Sequence, residues 1–274
     1  MTADGPDLRA ITQRQRRAWS AGDFNRVAMS IMEVAEHLVA SADPRPGSRV
    51  LDVACGSGNA ALVAARRFCE VTGVDFAPNL LERARERAAA EGTPAEFVEG
   101  DAQELPFPDA SFDTVTSVYG VMFAPDQERA AAELLRVCRP GGTIALANWI
   151  PGSLAPRMFA AIAPFVPPLP GLEPPWRWGT EEGARELLGD GATVRTEERT
   201  VFQRFPSPDY MADLYRRYFG PTMMVYEAVG EEGADAVTAA LAEGVGEFNR
   251  ADDGTCKLEC VYLEVIATRK RQVP

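Results

Sequence analysis

Two apolar patterns alternate along the first half of this chain. Residues 49–54, 70–75, 95–101, 111–119 and 143–149 are short, apolar and β-branched runs, which suit parallel strands covered on both faces. Residues 59–68, 79–91 and 126–138 carry the helical period instead, so strand and helix alternate as in βα units. Ahead of them, residues 8–42 read as two helices around the turn Ser20-Ala21-Gly22-Asp23, with Val27, Ile31, Val34, Ala35 and Leu38 on one face. After Ile150 the pattern changes. A proline-rich stretch (151–178) precedes a helix (180–188), an antiparallel strand (194–205), inserted helices (208–249) and a last strand over 260–269. The pattern divides the chain into an N-terminal helical segment (1–47), whose Trp19 and Phe24 could close over a ligand as a lid, a βα core (48–150) and a remainder of the same domain (151–274).

The first strand runs into a glycine turn, Asp52-Val53-Ala54-Cys55-Gly56-Ser57-Gly58, and then a helix that Asn59 can cap. Such a turn lets a ligand lie against bare backbone at a helix N-terminus. Dinucleotide sites share this geometry, with a third glycine or alanine at the position of Ala61, so spacing alone decides little. Asp52 discriminates: a carboxylate inside the strand would repel a pyrophosphate but suits a cation, such as a sulfonium carrying an amino-acid ammonium. Asp75 ends the second strand, where a carboxylate can accept both hydroxyls of a ribose, with Phe76 and Leu80 as apolar faces for a purine. Asp101 ends the third strand, and a carboxylate beside the Ala102 N–H matches the donor and acceptor edge of adenine.

Composition narrows the partners. The net charge of −12 argues against a nucleic-acid surface, because phosphate binding needs clustered cations. Five scattered cysteines suggest neither a disulfide framework nor a zinc site. No apolar run approaches the ~20 residues that span a bilayer, and the N-terminus has no leader pattern, so the expected location is cytoplasmic.

Five segments in order, Asp52-Val53-Ala54-Cys55-Gly56-Ser57-Gly58, Gly73-Val74-Asp75, Gly100-Asp101-Ala102, Phe112-Asp113 and Arg139-Pro140-Gly141-Gly142, resemble the class I S-adenosylmethionine-dependent methyltransferases. The wording is similar to the quinone C-methyltransferases and the small-molecule methyltransferases of specialised metabolism. The resemblance implies an α/β, Rossmann-like, doubly wound seven-stranded sheet, mostly parallel with an antiparallel last strand, carrying N-terminal helices and a helical insertion. It implies S-adenosylmethionine as cofactor, released as S-adenosylhomocysteine. Carried over, Asp52, Ala54, Gly56, Ser57 and Gly58 hold the methionine moiety and Asp75 the ribose. Phe76, Leu80, Asp101, Ala102 and Gln103 enclose the adenine, and the Val118 carbonyl meets the ammonium.

For the acceptor, Trp19 and Phe24 beside the N-terminal turn, Tyr119 after the fourth strand and Trp149 after the fifth stand where substrate should enter. His37 is the only histidine, and a helix-end role suits it better than that of a general base. With no catalytic triad and no metal-ligand cluster in the sequence, the expected reaction is methylation of carbon or nitrogen in a small apolar or aromatic molecule. The rivals are a pericyclase or cyclase on the same fold, a cofactor-binding module without methyl transfer, and a quinone-biosynthesis C-methyltransferase.

Overall fold

The computed structural model describes residues 6–167 and 172–271, so part of the proline-rich stretch lies outside the described residues. Its centre is a seven-stranded sheet of order β3-β2-β1-β4-β5-β7-β6. The strands are β1 (Arg49–Val53), β2 (Glu70–Asp75), β3 (Glu96–Glu99), β4 (Phe112–Val118), β5 (Cys138–Trp149), β6 (Ala192–Phe205) and β7 (Cys256–Arg269). β1 to β5 pair in parallel, β7 runs antiparallel to β5, and β6 pairs antiparallel with β7. β7 alone therefore points the other way, and the sheet is the expected mostly parallel, Rossmann-like one. The chain order reverses at β1, where β2 and β4 flank it, and such a switch point opens a crevice at the strands' C-terminal ends.

The helices are α1 (Leu8–Trp19), α2 (Asn25–Ala28), α3 (Met32–Ala42), α4 (Asn59–Ala65), α5 (Pro78–Glu91), α6 (Gln127–Val137), α7 (Leu154–Ile162), α8 (Glu181–Leu188), α9 (Pro208–Tyr218) and α10 (Gly220–Gly246). The stripe Val27, Ile31, Val34, Ala35 and Leu38 is buried throughout, as its spacing predicts. α4 is buried along its whole length, which explains its alanines: small side chains let it lie close to the sheet and to α3.

Several boundaries differ from the sequence reading. β3 is shorter than 95–101, because Gly100 and Asp101 turn away toward the site. β5 begins at Cys138, taking in the Arg139-Pro140-Gly141-Gly142 segment with a shift of register against β4. β7 begins at Cys256 and pairs with all of β6. α7 occupies part of the proline-rich stretch: Pro156 falls in its first turn, where a proline removes no helical hydrogen bond. No helix of the described residues is long and apolar enough to cross a membrane.

Candidate active site

One large cavity opens along the C-terminal ends of β1, β2 and β4, with about 1380 Å³ of space between the atoms, its mouth included. Of the sixteen residues singled out above, every one but Gly58 lines it. Gly58 works from behind. It stands at φ +84° as the cap of α4, and a Cβ there would lie 3.2 Å from Ala84 and Phe97, so glycine lets α5 and β3 approach. Gly58 thus takes the cap position assigned to Asn59, whose amide instead donates to the Ala28 carbonyl at 2.9 Å.

The cavity wall at β1 and β2 is built around two buried carboxylates. Asp75 accepts from the Gly56 N–H at 2.9 Å and the Ala77 N–H at 2.8 Å, and burial raises its pKa. It therefore pins the glycine turn to the end of β2 while lining the cavity. Gly56 stands at φ +54°, and a Cβ there would meet nothing nearer than Phe24 at 4.0 Å, so bare backbone faces open space. Asp52, 1% exposed, accepts from the Thr116 hydroxyl at 2.9 Å and the Ala61 N–H at 3.0 Å, tying β1 to β4 and to the first turn of α4. Burial outweighs those two bonds and pushes its pKa from 3.8 to about 7.

This shift sets a pH dependence. A carboxyl with a higher pKa folded than unfolded holds its proton in the folded chain over the interval between the two values. The unfolded chain then binds fewer protons, so stability falls as pH rises from about 4 to about 7 and levels off above. Urea unfolding at pH 5 and pH 8 should show wild type losing on the order of 2–3 kcal/mol more than Asp52→Asn. Parallel pH profiles for the two proteins would contradict the assignment.

α5 presents most of its charges to solvent, but Arg87 also reaches the site. The Arg87 guanidinium donates to the Ser57 carbonyl and the Asn59 side chain, both at 2.7 Å, and clasps the glycine turn from outside. Arg85 donates to the Phe97 carbonyl at 2.6 Å. Long side chains reach across to neighbouring elements in a way that one helix's own periodicity does not reveal. On the β3 side, Asp101 accepts from the Gln103 backbone N–H at 2.8 Å and from its side-chain amide. The Gln103 amide also reaches the Thr12 hydroxyl of α1 at 3.2 Å. The loop beyond is anchored by Glu133, which accepts from the Leu105 N–H, and by Arg136, which donates to the Leu105 and Phe107 carbonyls.

The rest of the cavity is largely apolar, and aromatic rings are prominent in it. Tyr119 stacks on Trp149 with ring centres 3.9 Å apart and planes at 7°. Trp19 meets Phe24, Phe123 and Phe219 at 5.3–5.6 Å. Phe159 continues the wall, 5.8 Å from Phe123. Ala54 and Tyr119 both take left-handed backbone, at φ +51° and +54°, where side chains other than glycine are strained. They directly follow β1 and β4 respectively, and both line the cavity.

Of the later aromatics, the cavity recruits Phe159, Tyr215 and Phe219. Phe123, Met158 and Gln203 also line it and carried no motif; only their positions after β4, on α7 and on β6 reveal them. His37 lies outside the cavity, 3.9 Å from Glu33 on its own helix. Among the described residues no cluster of three or more His, Cys, Asp or Glu is arranged to hold a metal ion, and all five cysteines are free and buried.

A crevice at the switch point, a bare glycine turn and carboxylates at the strand ends suit a nucleoside ligand, and comparison with known proteins gives the family. Residues 51–146 match the family described as "Methyltransferase domain". An uncharacterised protein of Mycobacterium tuberculosis is 42% identical over 274 residues, covering 96% of this chain and 98% of that protein. The demethylmenaquinone methyltransferase of Thermus thermophilus is 45% identical over 105 residues, 38% of this chain and 48% of its own. The solved structure of a putative methyltransferase from Bacillus halodurans has the same fold, with a TM-score of 0.60 at 22% identity over 86% of this chain and 99% of that one. This chain belongs to the class I S-adenosylmethionine-dependent methyltransferases.

Proposed function

We propose that the chain methylates a carbon or nitrogen atom of a small, apolar, ring-bearing molecule, and does so chiefly by positioning it. The observation that carries this reading is the aromatic chamber beside the carboxylate-lined crevice: it presents ring faces and aliphatic groups, and the chain's one histidine is outside it. The net charge of −12 supports a small molecule over nucleic acid as acceptor. The Thermus relative, named for demethylmenaquinone, supports an acceptor of that kind.

The residues present fit the cofactor. Bare backbone at Gly56 leaves room for the methionine chain, and the strand-end carboxylate Asp75 suits ribose hydroxyls. Phe76 and Leu80 would flank the adenine, with Asp101, Ala102 and Gln103 at its edge, while Asp52 and the Val118 carbonyl favour the cationic end. When bound, S-adenosylmethionine supplies an electrophilic methyl group on a sulfonium. The chain's part is to hold the acceptor in line with that methyl, and orientation of this kind contributes up to ~7–11 kcal/mol of barrier lowering. The ring of Trp19, Phe24, Phe123 and Phe219 excludes water from the reacting centre.

On this mechanism no side chain supplies several kcal/mol as a base. His37→Ala should therefore keep most of its methyl-transfer rate. A loss of about a thousandfold, with cofactor affinity intact, would mean histidine-dependent proton removal and would favour oxygen methylation. The segments 151–178 and 208–226, so far as they are described, should gain protection from hydrogen exchange when cofactor and acceptor bind. Equal exchange with and without ligands would count against a covering role.

A further inference from the structure

Gln203 is a buried amide, 2% exposed, on the wall of a largely apolar chamber. Burying an amide is costly unless its hydrogen bonds are met, and a glutamine has two N–H donors and two acceptor sites to satisfy. Two are met within the protein. The Gln203 nitrogen donates to the Ser30 hydroxyl oxygen at 3.1 Å, and its oxygen accepts from the Tyr215 hydroxyl at 3.3 Å. Ser30 donates its own proton to the Val27 carbonyl at 2.7 Å, so towards Gln203 it acts as an acceptor. That fixes which end of the amide is nitrogen. Burial pushes the Tyr215 phenol's pKa up, which keeps it a donor.

One N–H and one acceptor site of Gln203 are left over, on a residue that faces the cavity. β6 is four strands along the sheet from β1, so this amide stands at the end of the chamber away from Asp75 and Asp101. We propose, on the basis of the methyl-transfer reading above, that Gln203 selects the acceptor by hydrogen-bonding one hydroxyl or carbonyl oxygen on a ring that is otherwise apolar. A hydroxyl can donate to the free acceptor site or accept from the free N–H, and a carbonyl oxygen can accept from the N–H. A hydrocarbon of the same shape leaves both unmet, and a site built around such a bond discriminates strongly against the analogue that lacks it.

The test compares matched probes, phenol against benzene and naphthol against naphthalene, titrated into the protein with and without S-adenosylhomocysteine. Wild type should bind at least one oxygenated probe about tenfold more tightly than its hydrocarbon. Gln203→Leu and Gln203→Met should erase that preference while leaving hydrocarbon affinity in place. Equal affinities within both pairs in wild type, or a preference that survives in a folded variant, would overturn the proposal. The wild-type comparison stands even where a variant fails to fold. The nucleoside titration is a separate readout: its failure beside an intact oxygen preference would count against the cofactor site and not against Gln203.

Discussion

Asp75→Ala should weaken S-adenosylmethionine binding by about tenfold to a hundredfold and also lower the protein's stability. The two effects have separate origins. A carboxylate that accepts ribose hydroxyls makes charge-assisted bonds, each worth ~1.5–3 kcal/mol. The same carboxylate satisfies the Gly56 and Ala77 N–H groups, and leaving a buried donor unpaired costs ~1–3 kcal/mol. In a chain of this length a loss of that size lowers Tm by several degrees. Calorimetric titration of the folded variant separates the two: unchanged affinity would remove the ribose assignment, whatever happens to Tm.

The second large effect is expected at Gly220, far from the carboxylates. A Cβ added there would lie 1.8 Å from the Ala18 carbonyl oxygen, a contact with backbone that no side-chain rotation relieves. Gly220→Ala must therefore push the end of α1 away from the start of α10. Trp19 then loses its edge contact with Phe219, now at 5.6 Å, and the wall of the chamber opens. Misplacement by about 1 Å can cost ~10²-fold in rate, so turnover should fall by one to two orders of magnitude with Asp75 untouched. Amides of α1 should exchange faster in the variant. Wild-type turnover together with wild-type exchange in α1 would contradict the coupling of α1 to α10.

The contrast between these two positions shows what the sequence could carry. Asp75 was legible because it ends a short β-branched strand, and strand ends in a parallel sheet face one crevice. The glycine turn was legible for the same reason, since its conformation is a local property. Gly220, Gln203 and Arg87 were not. Gly220 matters only because Ala18, two hundred residues earlier, lies against it. Gln203 sits in a strand whose alternation marks its burial but not the cavity beside it. Arg87 reads as an ordinary surface charge until α4 is packed next to it. Proline masked α7, although Pro156 is in the one turn of a helix that tolerates it.

On the proposed mechanism the methyl group ends on carbon or nitrogen of a small apolar acceptor. The most direct measurement incubates the protein with deuteromethyl S-adenosylmethionine and an unfractionated cell extract, then locates the label by mass spectrometry. The expected product is a low-mass, solvent-extractable, ring-bearing molecule with the label on carbon or nitrogen, formed in step with S-adenosylhomocysteine. Label recovered in protein or nucleic acid, or on an oxygen of the acceptor, would contradict it.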